Sequence, residues 1–390
     1  MRPGVGGKDG EMDEQPAAGA PVWALGMMSG TSRDGVDAAL IESDGAGRLT
    51  PGPFLTAPYD PAFRARLAAA VRGEGDLAAV EGELTERHAA AVQGLLATAG
   101  LAPEQVRVIG FHGHTLHHDP ARRRTRQIGD GPRLAARTGI DVVYDFRAAD
   151  VAAGGHGAPL APLYHAARTR DLDLAKPLAV LNLGGVGNVT WLGAGGRIVA
   201  FDTGPGNALL DDLAGLRTGV PCDLDGRLAA AGRVDRACLE ALLAHPFFDA
   251  PPPKSLDRDA FAAGQAAGLA TEDAAATLTA FTAHSVARAL AHLPVPPARW
   301  LVAGGGRHNP TLMAALATAL GAPVDPVEAV GWNGDAIEAE AFAYLALRSL
   351  TGLPLSLPET TGVPVPTTGG VLAPAASATY TSRLQRAGSA

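Results

Sequence analysis

The chain has 390 residues, of which 47% are hydrophobic, and 40 acidic against 32 basic side chains give a formal net charge of −8. That length fits two domains and that apolar fraction a sizeable core, which excludes wholesale disorder; mild acidity argues against nonspecific nucleic-acid binding, which needs a basic face. No run of 18 apolar residues is present to span a membrane. Residues 1–20 carry no apolar h-region and read as a disordered extension rather than a signal peptide. Two cysteines, Cys222 and Cys238, are too few for a disulfide framework and fit free thiols in a reducing, cytoplasmic compartment. The Asn188-Val189-Thr190 sequon has no use there.

In chain order, the first element is a strand from Trp23 to Met27, followed by the turn Ser29-Gly30-Thr31-Ser32-Arg33-Asp34-Gly35 and a second strand from Val36 to Ile41. Leu77, Val80, Leu84, Val92, Leu95 and Leu96 recur at helical spacing and end at Gly100, a C′ glycine. Val106 to Ile109 is a short apolar run that leads into the polar cluster FHGHTLHH, and Ile140 to Phe146 reads as another buried strand. Near residue 177 the pattern restarts: strands at Leu178–Leu183, Val189–Leu192 and Ile198–Phe201 are separated by glycine turns and end in Asp202-Thr203-Gly204-Pro205-Gly206-Asn207 before a helix from Ala208. This second strand–turn–strand opening resembles the first and suggests a structural duplication. The strand Trp300–Ala303 runs into Gly304-Gly305-Gly306, and Asn309-Pro310 caps a helix that Gly321 closes. A final helix is expected from about Asp335 to Leu350, and the tail is expected to be surface chain with its last ten residues disordered.

No P-loop, dinucleotide fingerprint, kinase H-R-D or D-F-G, or H-E-x-x-H string occurs. What stands out instead is three glycine-rich turns at the ends of predicted strands, where open α/β sheets bind ligands. Ser29–Gly35 offers small residues and hydroxyls to phosphate oxygens, with Asp34 placed to hold Mg²⁺; a plain hairpin turn would give the same string. Asp202 leaves a strand just before a helix start, as a general base, a metal ligand or a helix cap would. Gly304-Gly305-Gly306 permits close approach of an adenine or ribose, or is simply a tight turn. Together the three favour a nucleotide in a cleft between two domains. His112, His114, His117 and His118 read as pocket-lining donors or a polar loop more readily than as a metal site, and Arg122, Arg123, Arg124 and Arg126 as a solvated face. Glu338, three residues after Asp335, has the spacing of a capping box. Lys254 follows three prolines on a stiff loop, near a cleft or at the surface.

The strings GMMSGTSRDGVDAAL, FHGHTLHH, the DFR and GGHGAPLAP of residues 145–162, NLGGVGNVT, FDTGPGNALLDD, PPPKSLDRDAF, VAGGGRHNPTLM and DAIEAEAFAYLALR, in that order, resemble the anhydro-N-acetylmuramic acid kinase family of the actin/hexokinase/Hsp70-like ATPase superfamily. The likeness covers roughly residues 22–362. This chain departs from the family's usual residues at Arg33, His114, His156 and Leu256-Asp257. The resemblance implies an α/β protein of two similar domains of the actin/hexokinase-like ATPase fold, with mixed sheets flanked by helices and ATP in the interdomain cleft. Domain I would span 21–150, a crossover segment 151–176 and domain II 177–362; the tail 363–390 is expected to pack back on domain I.

It implies a kinase that uses ATP and Mg²⁺ to open 1,6-anhydro-N-acetylmuramic acid with water and phosphorylate O6. An ordinary hexose kinase, a nucleotide-switched binding protein and a metal-dependent hydrolase are the alternatives. The nucleotide side would use Gly30, Thr31, Ser32, Arg33, Asp34, Gly35, Val36 and Asp37, with Gly204, Gly304, Gly305 and Gly306; Asp34 would bind the metal. His112, His114, Gly155, Asn182 and Glu338 would meet the sugar, and Asp202 would be the base. No nucleic-acid or membrane partner is expected, and a homodimer is left open.

Overall fold

The computed structural model describes residues 19–375 apart from Thr31 and Ala262. The expected N-terminal extension and the last ten residues of the tail therefore lie almost wholly outside the described residues.

Among the described residues thirteen strands form two mixed sheets and a ribbon. They are β1 (Val22–Met28), β2 (Gly35–Ser43), β3 (Leu49–Pro58), β4 (Val106–Phe111), β5 (His114–Asp119), β6 (Arg124–Ile128), β7 (Val142–Tyr144), β8 (Leu178–Leu183), β9 (Val186–Leu192), β10 (Ile198–Pro205), β11 (Trp300–Ala303), β12 (Val324–Pro326) and β13 (Val371–Ala373). The first sheet runs β13-β7-β4-β1-β2-β3 and the second β10-β9-β8-β11-β12, while β5 and β6 pair apart as the ribbon. In the first sheet β1, β2 and β3 are antiparallel neighbours, and β4 and β7 extend it parallel to β1. The second repeats this with β8, β9 and β10 antiparallel and β11 and β12 parallel to β8. The duplication suggested by the two hairpin openings is thus a duplication of sheet topology. The strand β13 adds to the first sheet, antiparallel to β7.

Both faces of each sheet are covered, which explains why the central strands read as unbroken apolar runs. Leu25, Met27 and Ile109 pack outward against Phe63, Leu84 and Leu95 of the helices Pro61–Val71 and Leu77–Ala99. Ala24 and Val108, on the other face, share one core with Leu178, Val180 and Leu301 of the second sheet. Between the sheets lie the helices Pro162–Arg168 and Ile337–Leu350. The latter returns from the second half to lie directly on the first sheet. Gly26 and Gly110 pair in register on β1 and β4, and a Cβ on either would come within 2.1 Å of the carbonyl oxygens of Ala339 or Phe342. Only glycine admits a helix backbone that close.

Caps follow the sequence. Asp76 and Gly100 bound the helix Leu77–Ala99, and the Asn309 side chain accepts from Leu312 N–H at 2.9 Å beside Pro310. Three expectations need correction. The strand carrying Asp202 does not end at Phe201; pairing with β9 continues to Pro205 across a bulge, so Asp202 is inside β10 and is not a helix cap. The helix expected from Asp335 begins at Ile337 with no side-chain cap, so Asp335 and Glu338 form no capping box, and a short helix Pro358–Thr361 follows it. The FHGHTLHH cluster is ladder, not loop, from His114 onward.

Candidate active site

Met28 at the end of β1, Arg147 shortly after β7 and Asn182 near the end of β8 meet at one cleft, the position where open α/β sheets place ligands. At its floor is a cavity of about 130 Å³ lined by apolar Met28, Pro159, Leu160, Ile337 and Phe342 and by polar Arg147, His165, Asn182, Asn188, Asp202 and Glu338. A larger open hollow near Leu242, His245 and Phe261 has no acidic or arginine side chain among its described residues and lies outside this cleft.

Three of the polar groups form a cross-strand row. Asn182 on β8 pairs with Asn188 on β9, and Asn188 pairs with Asp202 on β10. Side chains opposite one another on neighbouring strands share a face, so the register alone brings the three together. Asp202 is 7% exposed. Its backbone N–H donates to the Lys254 carbonyl at 3.0 Å, and its Oδ2 accepts from the Leu256 N–H at 2.7 Å. Burial raises its pKa to about 7, against the lowering effects of the Leu256 N–H and of Arg147. Leu256 is a departure from the family pattern, but the contact comes from main chain, which any residue but proline supplies.

Glu338 sits in the first turn of its helix and reaches the same cleft, where Asn182 Nδ2 donates to its Oε1 at 3.1 Å. Its side chain is exposed to the cleft. Desolvation raises its pKa, with Arg147 and Asn182 opposing.

Arg147 lines the same cavity as both carboxylates. It follows Asp145, which holds a left-handed backbone at φ 55°, and Phe146. Its Nε donates to His112 Nε2 at 3.1 Å and its Nη1 to the Gly157 carbonyl at 2.6 Å. Burial lowers its pKa to about 10, while Glu338, Asp202 and Asp150 act the other way, so it stays charged at neutral pH. Asp150 in turn accepts from Gly157 N–H and the Thr361 hydroxyl, each at 2.6 Å, which fixes the crossover loop.

The sugar-side residues expected from the sequence divide. Asn182 and Glu338 line the cavity. His112 does not; it is 3% exposed and stands behind Arg147 against Phe342. His114 is also buried, with Nδ1 3.3 Å from the Ser29 hydroxyl, which in turn accepts from Tyr59 at 2.9 Å. Gly155 is a packing glycine: a Cβ there would come within 2.1 Å of Asp150 Oδ1. His156 bonds Ser255 Oγ at 2.8 Å and joins the crossover loop to the Asp202 cradle.

Of the residues expected on the nucleotide side, Gly30 and Gly305 have room for a side chain, with nothing closer than 3.5 Å to an added Cβ. Gly304 and Gly306 press against Asn182 and Leu183, which places this turn at the end of β8. Ser32 donates to Asp34 Oδ1 at 2.8 Å, and Arg33 takes a left-handed backbone beside it. Thr31 lies outside the described residues. Asp37 points from β2, accepts from Thr56 at 2.6 Å and is raised to about 6 by burial, with Asp34, Glu338 and Asp335 adding to the rise. Val36 is fully buried in the core and Gly35 packs on the Ala57 carbonyl, so neither offers more than main chain. Gly204 points its Cβ position at Ser285 and is likewise limited to its backbone. Among the described residues no group of three His, Cys, Asp or Glu is placed to hold a metal ion.

Sequence reasoning missed Arg147 and Asn188 as site residues. Both lie in strings already singled out, DFR and NLGGVGNVT. The signal for Asn188 was its register with Asp202 once β9 and β10 are paired across the Gly193–Gly196 turn.

The model of the family described as anhydro-N-acetylmuramic acid kinase matches residues 22–375. The chain belongs to that family. A protein of that name from Paramagnetospirillum magneticum is 58% identical over 350 residues, covering 89% of this chain and 98% of the relative. Another from Rhodospirillum rubrum is 56% identical over 381 residues, covering 96% and 100%. The chain is accordingly an enzyme of the kinase class. Among solved structures, a ROK family glucokinase from Streptomyces griseus in complex with glucose and AMPPNP is similar at 14% identity and TM-score 0.41, covering 83% of this chain and 98% of that one. So distant a likeness carries no weight for the site. No helix among the described residues is long and apolar enough to cross a membrane.

Proposed function

We propose that this family member converts 1,6-anhydro-N-acetylmuramic acid, water and ATP to N-acetylmuramic acid 6-phosphate and ADP, with Asp202 as the general base. The observation that carries the assignment is the buried Asp202 carboxyl, held through Oδ2 by Leu256 and poised near pKa 7 in a cavity it shares with Arg147 and Glu338. A base is most effective when its pKa lies near the working pH.

Asp202 takes a proton, at Oδ1, from the water whose oxygen bonds to C1. The C1–O6 bridge breaks, and O6 receives the phosphoryl group. Arg147 brings its positive charge to the cavity that both carboxylates line. That charge restrains the rise in both their pKa values and leaves Asp202 able to ionise at neutral pH. Asn182 holds Glu338 for the sugar. The apolar walls of Met28, Pro159 and Phe342 exclude other water from the reacting atoms.

The glycine turns fit a nucleotide: Gly30 and Gly305 leave the cleft side free of side chain where backbone N–H groups would approach phosphates and ribose. Mg²⁺ would be held by Asp34 together with phosphate oxygens and water. When bound it would neutralise charge on the phosphates.

The test is product analysis in oxygen-18 water. Label at C1 of the phosphorylated product is expected. Product formed without label at C1 would mean phosphorylation of a free hydroxyl, and the reading would fall.

A further inference from the structure

We propose that Lys254 is a positioning residue for Asp202: its ammonium, folded back under its own loop, fixes the segment that grips the carboxylate from two sides. The proposal rests on the reading of Asp202 as the base.

Lys254 is 8% exposed. A lysine on a loop ordinarily extends its ammonium into water, and burying the charge is costly unless it is well held. Here the Nζ donates to the Phe247 carbonyl at 2.9 Å and approaches the Phe248 carbonyl at 3.4 Å. It also lies 4.6 Å from the centroid of the Phe247 ring and 5.8 Å from that of Phe201. Phe201 immediately precedes Asp202 on β10. The ammonium therefore joins the turn Pro246–Phe248 to the strand that carries the base.

The same lysine's main chain completes the grip. Its carbonyl accepts the Asp202 N–H at 3.0 Å, and two residues on, the Leu256 N–H donates to Asp202 Oδ2 at 2.7 Å. Between them, Ser255 meets His156 of the crossover loop at 2.8 Å. Burial lowers the ammonium's pKa to about 8, opposed by Asp249, so it is charged at neutral pH. Arg147 and Glu338 are the charged groups that line the cavity with Asp202, and Arg147 lowers its pKa. The lysine does not line the cavity, so its effect on the reaction passes through Asp202.

The experiment compares full-length Lys254→Met, Lys254→Arg and Asp202→Asn with the unaltered enzyme, using ATP and 1,6-anhydro-N-acetylmuramic acid. Lys254→Met is expected to lower kcat by about tenfold or more, the effect of losing a charged hydrogen bond, with KM for ATP changed by no more than about twofold. Its acid limb in kcat/KM should move to higher pH, because the Leu256 N–H is the bond that lowers the Asp202 pKa. Lys254→Arg, which keeps charge and donors, should lie nearer the unaltered enzyme in both. A merely structural lysine would lower the active fraction without moving the limb. A folded Lys254→Met with normal kcat and an unmoved limb overturns the proposal. If that variant does not fold, Phe247→Leu removes the ring beneath the ammonium and reads the same limb; no shift there overturns it as well. Near-normal turnover by Asp202→Asn would instead sink the reading of the base, whatever Lys254 does.

Discussion

Arg147 donates its Nε proton to His112 Nε2 across 3.1 Å, which makes the histidine an acceptor at that nitrogen and a donor from Nδ1 to the Gly113 carbonyl at 3.0 Å. Burial and the neighbouring guanidinium hold His112 well below the usual histidine pKa, so this pair does not titrate near neutrality. His112→Phe fills the space yet leaves a buried charged donor unpaired, which costs about 1–3 kcal/mol or more. The expected result is a lower melting temperature together with a fall in kcat. Arg147→Lys should lose about 10²-fold in kcat, because one ammonium cannot span both His112 and Gly157. Steady-state kinetics and thermal melts check both.

Asp202→Asn should lower turnover by about 10²–10⁴-fold while sugar and ATP still bind, measured by calorimetry alongside kinetics. Its effect on stability has the opposite sign. The folded pKa of about 7 lies above the ordinary value of 3.8. Between those values the native state holds a proton that the unfolded chain has released. Stability from this group is therefore full below about pH 4 and is lost as pH rises through 7. The asparagine variant lacks that loss and should melt higher than the unaltered enzyme at pH 8, with a flatter pH profile between 4 and 7. A variant that melts lower at pH 8 would contradict the burial argument.

Gly305→Val tests the nucleotide turn. An added Cβ meets nothing closer than Asn207 Nδ2 at 3.6 Å, so the fold should survive. ATP affinity should fall because the side chain occupies the cleft. Titration calorimetry with a melt as control is the measurement; unchanged affinity in a folded variant would exclude this turn.

Glu338→Gln keeps an oxygen for Asn182 Nδ2. Since the helix has no side-chain cap, no capping energy is at stake. The melting temperature should hold and the sugar KM or kcat should change. An early melt with normal kinetics would return Glu338 to a structural role.

Asp34→Asn should weaken use of Mg·ATP and respond to added metal, unlike Asp202→Asn. Turnover measured across a Mg²⁺ series separates them; a metal response that follows Asp202 would reverse the two roles.

Much of this was legible in the sequence because strands buried on both faces announce themselves, and glycine turns mark their ends. Leu178–Leu183 and Trp300–Ala303 were readable for that reason. The strand β3 was not: Pro51, Gly52 and Pro53 interrupt it, which an edge strand tolerates because its outer N–H groups need no partner. Asp202 and Glu338 could be singled out as chemistry-bearing residues, but their meeting depends on a helix that crosses from one half to the other. His112 was misplaced for a related reason. Its type suits a pocket, and only the three-dimensional arrangement puts Arg147 in front of it.

The paired glycines Gly26 and Gly110 bear on how the molecule is made. The strip of backbone they leave bare is covered by the helix Ile337–Leu350, and β13 closes the edge of the same sheet. Both arrive only when synthesis is nearly complete, so the N-terminal half emerges from the ribosome with its inner face unsealed. Leu178, Val180 and Leu301 of the second sheet pack into the same core as that helix, so the inner faces of both sheets wait for the end of the chain. A chain ending before residue 337 should be cut by protease in the strands of both sheets, where the full chain resists.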